Sequence, residues 1–486
     1  MTANASEAVL RRAVLLIHGI GQQRRYETLA EFTLGLIRYG LPERFKQFAE
    51  SALRQLWQGF RLVRLEQFQH SSVRLEGGLD IDIQPFKFGD GLDTRVSIKL
   101  PSGDPETRGT EVDIYEAYWA PSTGGQTNVI RVLLWLIGTT WVALKNGLLP
   151  TDRRPKAKDF LLELFRLALI FALLIGVLAG LFWAIRGLCM SYSGYTGSFW
   201  THYDVPYVIL TLIWIYFSLL AAQYVQGMLL RSQKLTILQA LIVFSLVVGI
   251  AAVIWWRNYH GIRDEVWWFS ALILLCVVVR TVLVDYLGDI EVYISGNEIG
   301  RNRQARKEIL TCAQEKLECI LERPAPEEKS NDQDARYYDE VIVVGHSLGS
   351  VIAYDLLCRV LHPDAEWEVK QARERVKHLF TIGSPLDKVW YFFRDRSNAD
   401  NPVYQGILAK LKGTKDAGIP ESPLSDLEWT NIWCATDVIS GNLTEYGDQV
   451  ENIHVSSLLW PLFVNHVRYW TSGEAMERLG NRVFVA

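Results

Sequence analysis

At 486 residues the chain has room for two or three domains, and its 49% hydrophobic content with 17 Trp exceeds what a purely water-exposed protein carries. A net charge of −4 and a pI near 6.2, with Lys and Arg not gathered into a stripe between aromatics, exclude nucleic-acid binding. Six cysteines, at 189, 276, 312, 319, 358 and 434, form no C-x-x-C pair, and the nine histidines show neither H-x-x-x-H nor H-E-x-x-H spacing. The thiols therefore read as reduced and packed, with no metal site, no P-loop and no cofactor expected.

The first twelve residues are mostly polar and the apolar run after them is too short for a signal-peptide core, so no cleaved export signal is expected. Residues 13–17, AVLLI, predict a short buried strand ending in His18-Gly19-Ile20-Gly21, with a helix over 28–39 behind it. Gly19 and Gly21 let the backbone turn so that the N–H of Ile20 faces a site rather than its own strand. A helix over 43–60 follows, then a hairpin over 73–100 turning at FGDGLD (88–93), an addition at the edge of a main sheet. Residues 111–119, EVDIYEAYW, restore a strand of that sheet.

Four apolar runs come next, at 167–185, 205–222, 235–256 and 267–284, each of 18 to 22 residues. At 1.5 Å per residue each spans roughly 27–33 Å, the thickness of a bilayer core. Trp255, Trp256, Trp267 and Trp268 gather at one end of the third and fourth runs, as aromatics do at a lipid boundary. Four transmembrane helices are expected. A fifth run, 132–144, has 13 residues between Arg131 and Lys145 and suits either a spanning or an interfacial helix. Because segments on both sides of the insert must reach one site, the crossings must be even in number, which lays 132–144 along the membrane surface. Lys145, Arg153, Arg154, Lys156, Lys158, Arg166, Arg231 and Lys234 on one side outnumber Arg186, Arg257 and Arg263 on the other. That count predicts a multi-pass protein of an inner or plasma membrane with its globular part in the cytoplasm, the bilayer being its partner.

Residues 289–321 form a charged, helix-favouring stretch, and 322–336 a Pro- and charge-rich linker. Residues 341–357, VIVVGHSLGSVIAYDLL, then read as a buried strand, a sharp turn carrying Ser347, and a helix. Gly345 and Gly349 remove side chains where strand and helix approach, and the N–H of Leu348, opening the helix, points where an oxyanion would form. A strand over 376–382 leads into Gly383-Ser384-Pro385-Leu386, where Ser384 reads as a loop cap because it lacks the flanking elbow. Residues 389–393, VWYFF, beside Arg394 and Arg396, suit either a lid over a site or a helix packed on the core. Strands over 431–436 and 451–455 follow, the first ending at Asp437, with His454 packed in the second and His466 on the approach to a last helix.

HGIG after the first strand, GHSLG after a later one and TIGSP after the next resemble the serine lipases and esterases of the α/β-hydrolase family. The resemblance implies an α/β fold, mostly parallel, made of residues 1–125 and 290–486; it does not extend to the four-helix membrane insert expected at 126–289, which interrupts them. It implies an oxyanion hole formed by the N–H groups of Leu348 and Ile20, and catalytic partners in the order Ser, acid, His, which selects Ser347, Asp437 and His466, with Asp387 the rival acid. His18 and His346 are expected to support the oxyanion loop and the turn, together with Gly19, Gly21, Gly345 and Gly349. The expected activity is cleavage of an ester, that of a lipid in the first instance, through an acyl-enzyme. An acyltransferase or thioesterase would use the same triad, and a membrane scaffold or transport component with a silent domain is the alternative of another class. The oligomeric state is left open.

Overall fold

The computed structural model describes residues 9–19, 24–64, 71–75, 78–88, 91–102, 109–123, 132, 135, 288–294, 301–322, 338–361, 374–388, 424–435, 437, 439–455 and 466–485. The chain divides into two compact units, Met1–Arg153 with Tyr286–Ala486, and Arg154–Asp285. All described residues belong to the first.

That unit is built on a nine-stranded sheet. Its strands are β1 (Leu10–Ile17), β2 (Ser71–Arg74), β3 (Asp80–Phe88), β4 (Gly91–Leu100), β5 (Thr110–Ala117), β6 (Glu340–His346), β7 (Val376–Ile382), β8 (Glu428–Trp433) and β9 (Val450–His454). Their order across the sheet is β2-β3-β4-β5-β1-β6-β7-β8-β9. From β5 through β9 the pairings are parallel, while β2, β3 and β4 meander antiparallel at one edge. The expected hairpin is the β3–β4 pair, whose register closes at Phe88 opposite Gly91.

Central strands of a sheet covered on both sides must be apolar on both faces, and β1 and β6 are. Ala13, Leu15 and Ile17 with Val341 and Val343 face one core, and Val14 and Leu16 with Ile342 and Val344 face the other. The first core is covered by α4 (Gly288–Ile294), α5 (Arg301–Glu322) and α6 (Leu348–Val360). The second is covered by α1 (Glu27–Gly35), which runs on as a π-helical turn over Leu36–Gly40, by α3 (Ala49–Arg64) and by α7 (Gly473–Phe484). The helix expected over 43–60 is broken into a short α2 (Glu43–Lys46) and α3.

Polar contacts also tie the second layer to the sheet. Tyr26, which caps α1 with φ 66° and offers no side-chain cap, donates its N–H to Glu116 Oε2 on β5 at 2.9 Å, so the helix is capped from the neighbouring strand. Arg12 on β1 donates to the Val483 and Val485 carbonyls at the end of α7, where a cation suits both the orphan acceptors and the helix dipole.

No helix among the described residues is long and apolar enough to cross a membrane. This corrects the expectation of a multi-pass protein of an inner or plasma membrane with a cytoplasmic globular part. The 22-residue α5 has the length, but its sequence RNRQARKEILTCAQEKLECILE carries nine charged residues. The four apolar runs, and 132–144 apart from residues 132 and 135, lie outside the described residues.

The topology reverses direction around β1, since β5 lies on one side of it and β6 on the other. In an open parallel sheet such a switch point leaves a crevice beyond the carboxyl ends of the strands. His18 and Gly19 leave β1 there, and Ser347 leaves β6 there.

Candidate active site

The strand β6 turns into α6 through one residue, Ser347, whose backbone lies at φ 53° and ψ −127°. For a non-glycine residue this costs on the order of 1–3 kcal/mol and persists only where the surroundings over-determine it. Ser347 N–H donates to the Ile382 carbonyl on β7 at 2.9 Å, and the Ser347 carbonyl accepts from Ser350 N–H at 3.0 Å and from Ser350 Oγ at 2.5 Å. The Ser350 proton being so used, Ser384 donates to Ser350 Oγ across 2.6 Å while its own oxygen accepts Leu386 N–H. Ser384 is thus a loop cap, as expected, and also props the elbow.

Glycine is required on both sides of the turn. A Cβ on Gly345 would come 2.5 Å from Ser350 Cα, and one on Gly349 would come 2.2 Å from the Ile17 carbonyl oxygen and 2.4 Å from that of His18. A Cβ on Gly19 would lie 2.7 Å from Ser347 Cβ, so the loop after β1 rests directly on the serine. Leu348 opens α6, and its N–H has no carbonyl one turn back to bond, which leaves a donor at the positive end of a helix next to Ser347. Ile20 and Gly21 lie outside the described residues.

Ser347 Oγ is 2.7 Å from His466 Nε2, and His466 Nδ1 is 2.9 Å from Asp437 Oδ2. All three residues are buried. Because an ionised carboxylate only accepts, Nδ1 carries the imidazole proton and Nε2 is left to accept from Ser347. Asp437 Oδ1 receives Ile439 N–H at 2.9 Å, and Oδ2 also receives the phenol of Tyr469 at 2.9 Å. Burial by itself would push this carboxyl up. The His466 charge and the hydrogen bonds from His466, Ile439 and Tyr469 outweigh it and hold the group at about 2, so Asp437 stays ionised. The rival acid, Asp387, instead pairs with Lys388 at 2.5 Å.

The two flanking histidines brace the site. His346 Nε2–H donates to the His466 carbonyl at 2.9 Å and its ring stacks on His466 at 5.2 Å; burial pushes its pKa down to about 3, keeping it neutral. His18 donates from Nδ1 to the Gly19 carbonyl and accepts Trp119 N–H at Nε2, while Trp119 Nε1 donates back to the His18 carbonyl and its ring stacks on His18 at 4.7 Å. Burial lowers its pKa to about 4. His454 lies in β9 and accepts Ala435 N–H, but its side chain is exposed rather than packed as expected, because it falls at the last position of an edge strand.

Three contributors are not legible in the sequence: Tyr469, Trp119 and Gly383. Gly383 has φ +60°, and a Cβ there would approach the Tyr469 ring at 2.9 Å and the His466 ring at 3.4 Å. Tyr469 had one signal, its position three residues after His466, which returns its side chain to the same side of a turn. Residues 389–393 lie outside the described residues. Among the described residues no group of three or more His, Cys, Asp or Glu side chains is arranged to hold a metal ion, and Cys312, Cys319, Cys358 and Cys434 are free thiols. Compared with protein-family models, with curated proteins and with solved structures, the chain matches none.

Proposed function

We propose that this chain is a serine hydrolase of the α/β-hydrolase type that cleaves a carboxylic ester through an acyl-enzyme on Ser347. The observation that carries the reading is the hydrogen-bonded chain from Asp437 through His466 to Ser347 Oγ, at 2.9 and 2.7 Å, mounted on a strained strand-to-helix turn.

A serine hydroxyl at its ordinary pKa is a poor nucleophile, and the chain supplies the base it needs. As Oγ attacks the ester carbonyl carbon, the Ser347 proton passes to His466 Nε2 and the carbonyl electron pair moves onto oxygen. Leu348 N–H, and Ile20 N–H by resemblance, receive that oxyanion. Collapse breaks the bond to the alcohol oxygen, which leaves with the proton from His466. Water then gives a proton to His466 and attacks the acyl carbon; collapse breaks the bond to Ser347 Oγ, which takes the proton back from His466 as the carboxylic acid departs. Asp437 keeps Nδ1 protonated throughout and stabilises the imidazolium formed in each half.

A fluorophosphonate probe tests the reading without knowledge of the substrate. The full-length protein is expected to be labelled, and Ser347→Ala and His466→Ala to lose labelling. Because such residues act as a unit, the double variant should be little worse than either single one. Labelling of Ser347→Ala at the wild-type rate would remove the assignment.

A further inference from the structure

We infer that Tyr469 is a positioning residue for the proposed reaction: its phenol, oriented by Ser440, holds Asp437 Oδ2 where that oxygen can direct the Nδ1 proton of His466. The inference rests on the serine-hydrolase reading and extends it past the three residues that reading needs.

The hydrogen-bond roles follow from elimination. Asp437 is an acceptor only, so at 2.9 Å the Tyr469 hydroxyl proton is spent on Oδ2. Ser440 Oγ, 2.9 Å from the same phenol oxygen, must then donate to it. Ser440 Oγ accepts the Cys434 N–H in turn, at 3.4 Å, which ties its position to the end of β8. Five side chains, Ser440, Tyr469, Asp437, His466 and Ser347, thus form one uninterrupted hydrogen-bonded chain ending at the nucleophile.

Mechanically, the phenol and the imidazole belong to one segment. His466 and Tyr469 are three residues apart, and Tyr469 opens a 3₁₀ turn over Tyr469–Thr471 that leads through the Ser472 cap into α7. Both place a donor on the same carboxylate oxygen, so Asp437 is clamped between two side chains that move together. The Tyr469 ring has no slack. It lies over Gly383, where even a methyl would strike it, and meets the His346 ring at 6.1 Å and 63°. A tyrosine needed only to fill space could satisfy its hydroxyl with Ser440 alone; this one gives its proton to a buried carboxylate. The titratable groups around the phenol are Asp437, His466, His346 and Cys434.

Removing the phenol proton should have two effects. Asp437 loses one of the two donors on Oδ2 and gains freedom to tilt away from His466, and a misplacement of this kind costs up to about 10²-fold. The carboxylate, with one donor fewer on Oδ2, also becomes a stronger acceptor toward the imidazolium that forms as Ser347 gives up its proton.

The test is the second-order rate of fluorophosphonate labelling as a function of pH, on the full chain, with thermal unfolding measured in parallel. Tyr469→Phe is expected to lower the rate about 10- to 100-fold, after correction for the folded fraction, and to move the acidic limb of the profile up by about 0.5–1 pH unit. Ser440→Ala, which keeps the ring but removes both the donor to its hydroxyl and the oxygen that accepts Cys434 N–H, serves if the phenylalanine variant fails to fold; it should slow labelling about 3- to 10-fold with a shift in the same direction. A folded Tyr469→Phe or Ser440→Ala whose limb stays in place, with a rate reduced only in proportion to its folded fraction, overturns the inference and leaves the hydrolase reading standing. A wild type that does not label, or a Ser347→Ala that does, overturns both.

Discussion

The most discriminating single change is Asp437→Asn, because it preserves shape while inverting hydrogen-bond polarity. Among the described residues Asp437 meets three donors: His466 Nδ1–H and the Tyr469 hydroxyl on Oδ2, and Ile439 N–H on Oδ1. An asparagine has one acceptor and one donor end. With its oxygen toward Ile439, its NH₂ faces His466 and Tyr469; the imidazole then accepts at Nδ1 and carries its proton on Nε2, where it can no longer take one from Ser347. With the oxygen toward His466, the NH₂ faces Ile439 N–H and one buried donor goes unpaired, at about 1–3 kcal/mol. The first orientation avoids most of that penalty, so the wrong tautomer should dominate, and the loss of rate should approach the roughly 10⁴-fold seen when a triad acid is amidated. Stability supplies a second readout. The folded carboxyl sits at about 2, below its unfolded value, so its stabilisation is complete above the unfolded value and is lost as pH falls toward 2. It amounts to about 2 kcal/mol, and the asparagine variant should lack this acid-labile part of the wild-type curve. Fluorophosphonate labelling rates and urea midpoints at pH 2.5, 4 and 7 measure both. A folded Asp437→Asn that labels within tenfold of wild type refutes the proton assignment made for this site.

The remaining predictions concern the frame around the site. Gly349→Ala must drive its methyl into two carbonyls of the β1 end, so it should cost about 1–3 kcal/mol or more and slow labelling of the folded fraction, whereas Gly480→Ala, whose methyl meets the Gly40 carbonyl far from the elbow in sequence, should cost similar stability and leave labelling per folded molecule intact. Thermal melts paired with labelling separate the two. His346 and His18, held by burial at about 3 and 4, withdraw stability as pH falls below the unfolded histidine value near 6.5, because the unfolded chain takes up the protons first. Glu116, pushed by burial to about 8, acts oppositely: its folded form is protonated where the unfolded one is ionised, so its stabilisation is present below the unfolded value and is lost as pH rises through 8. Urea midpoints should therefore peak near pH 6.5, and Glu116→Gln should flatten the fall between 6.5 and 8.

Much of this was determined by local sequence. The unbroken apolar runs 13–17 and 341–344 demanded strands buried on both faces, and both became centre strands with cores above and below. G-H-S-L-G demanded a turn with small neighbours, because strand and helix approach too closely there for any Cβ, and the distances around Gly345 and Gly349 bear this out. The order Ser, acid, His that the resemblance implies nominated Asp437 and His466, whose side chains lie 2.9 Å apart. Length and hydropathy were a weaker guide: runs of bilayer length led to a multi-pass reading, and no described helix is long and apolar enough to support it.

Only the tertiary structure decided how the site is braced. Trp119 reaches His18 across about a hundred positions of sequence, Glu116 caps a helix that begins ninety residues earlier, and Gly383 serves by leaving space under a ring more than eighty residues later. Tyr469 was written in the sequence as one more aromatic near the end of the chain. Its meaning depends on where β8 delivers Asp437, and that is set by the parallel register of strands whose partners are distant in sequence. A pattern read along the chain sees spacing, whereas hydrogen bonds and close approaches depend on the direction in which the backbone carries each side chain through space.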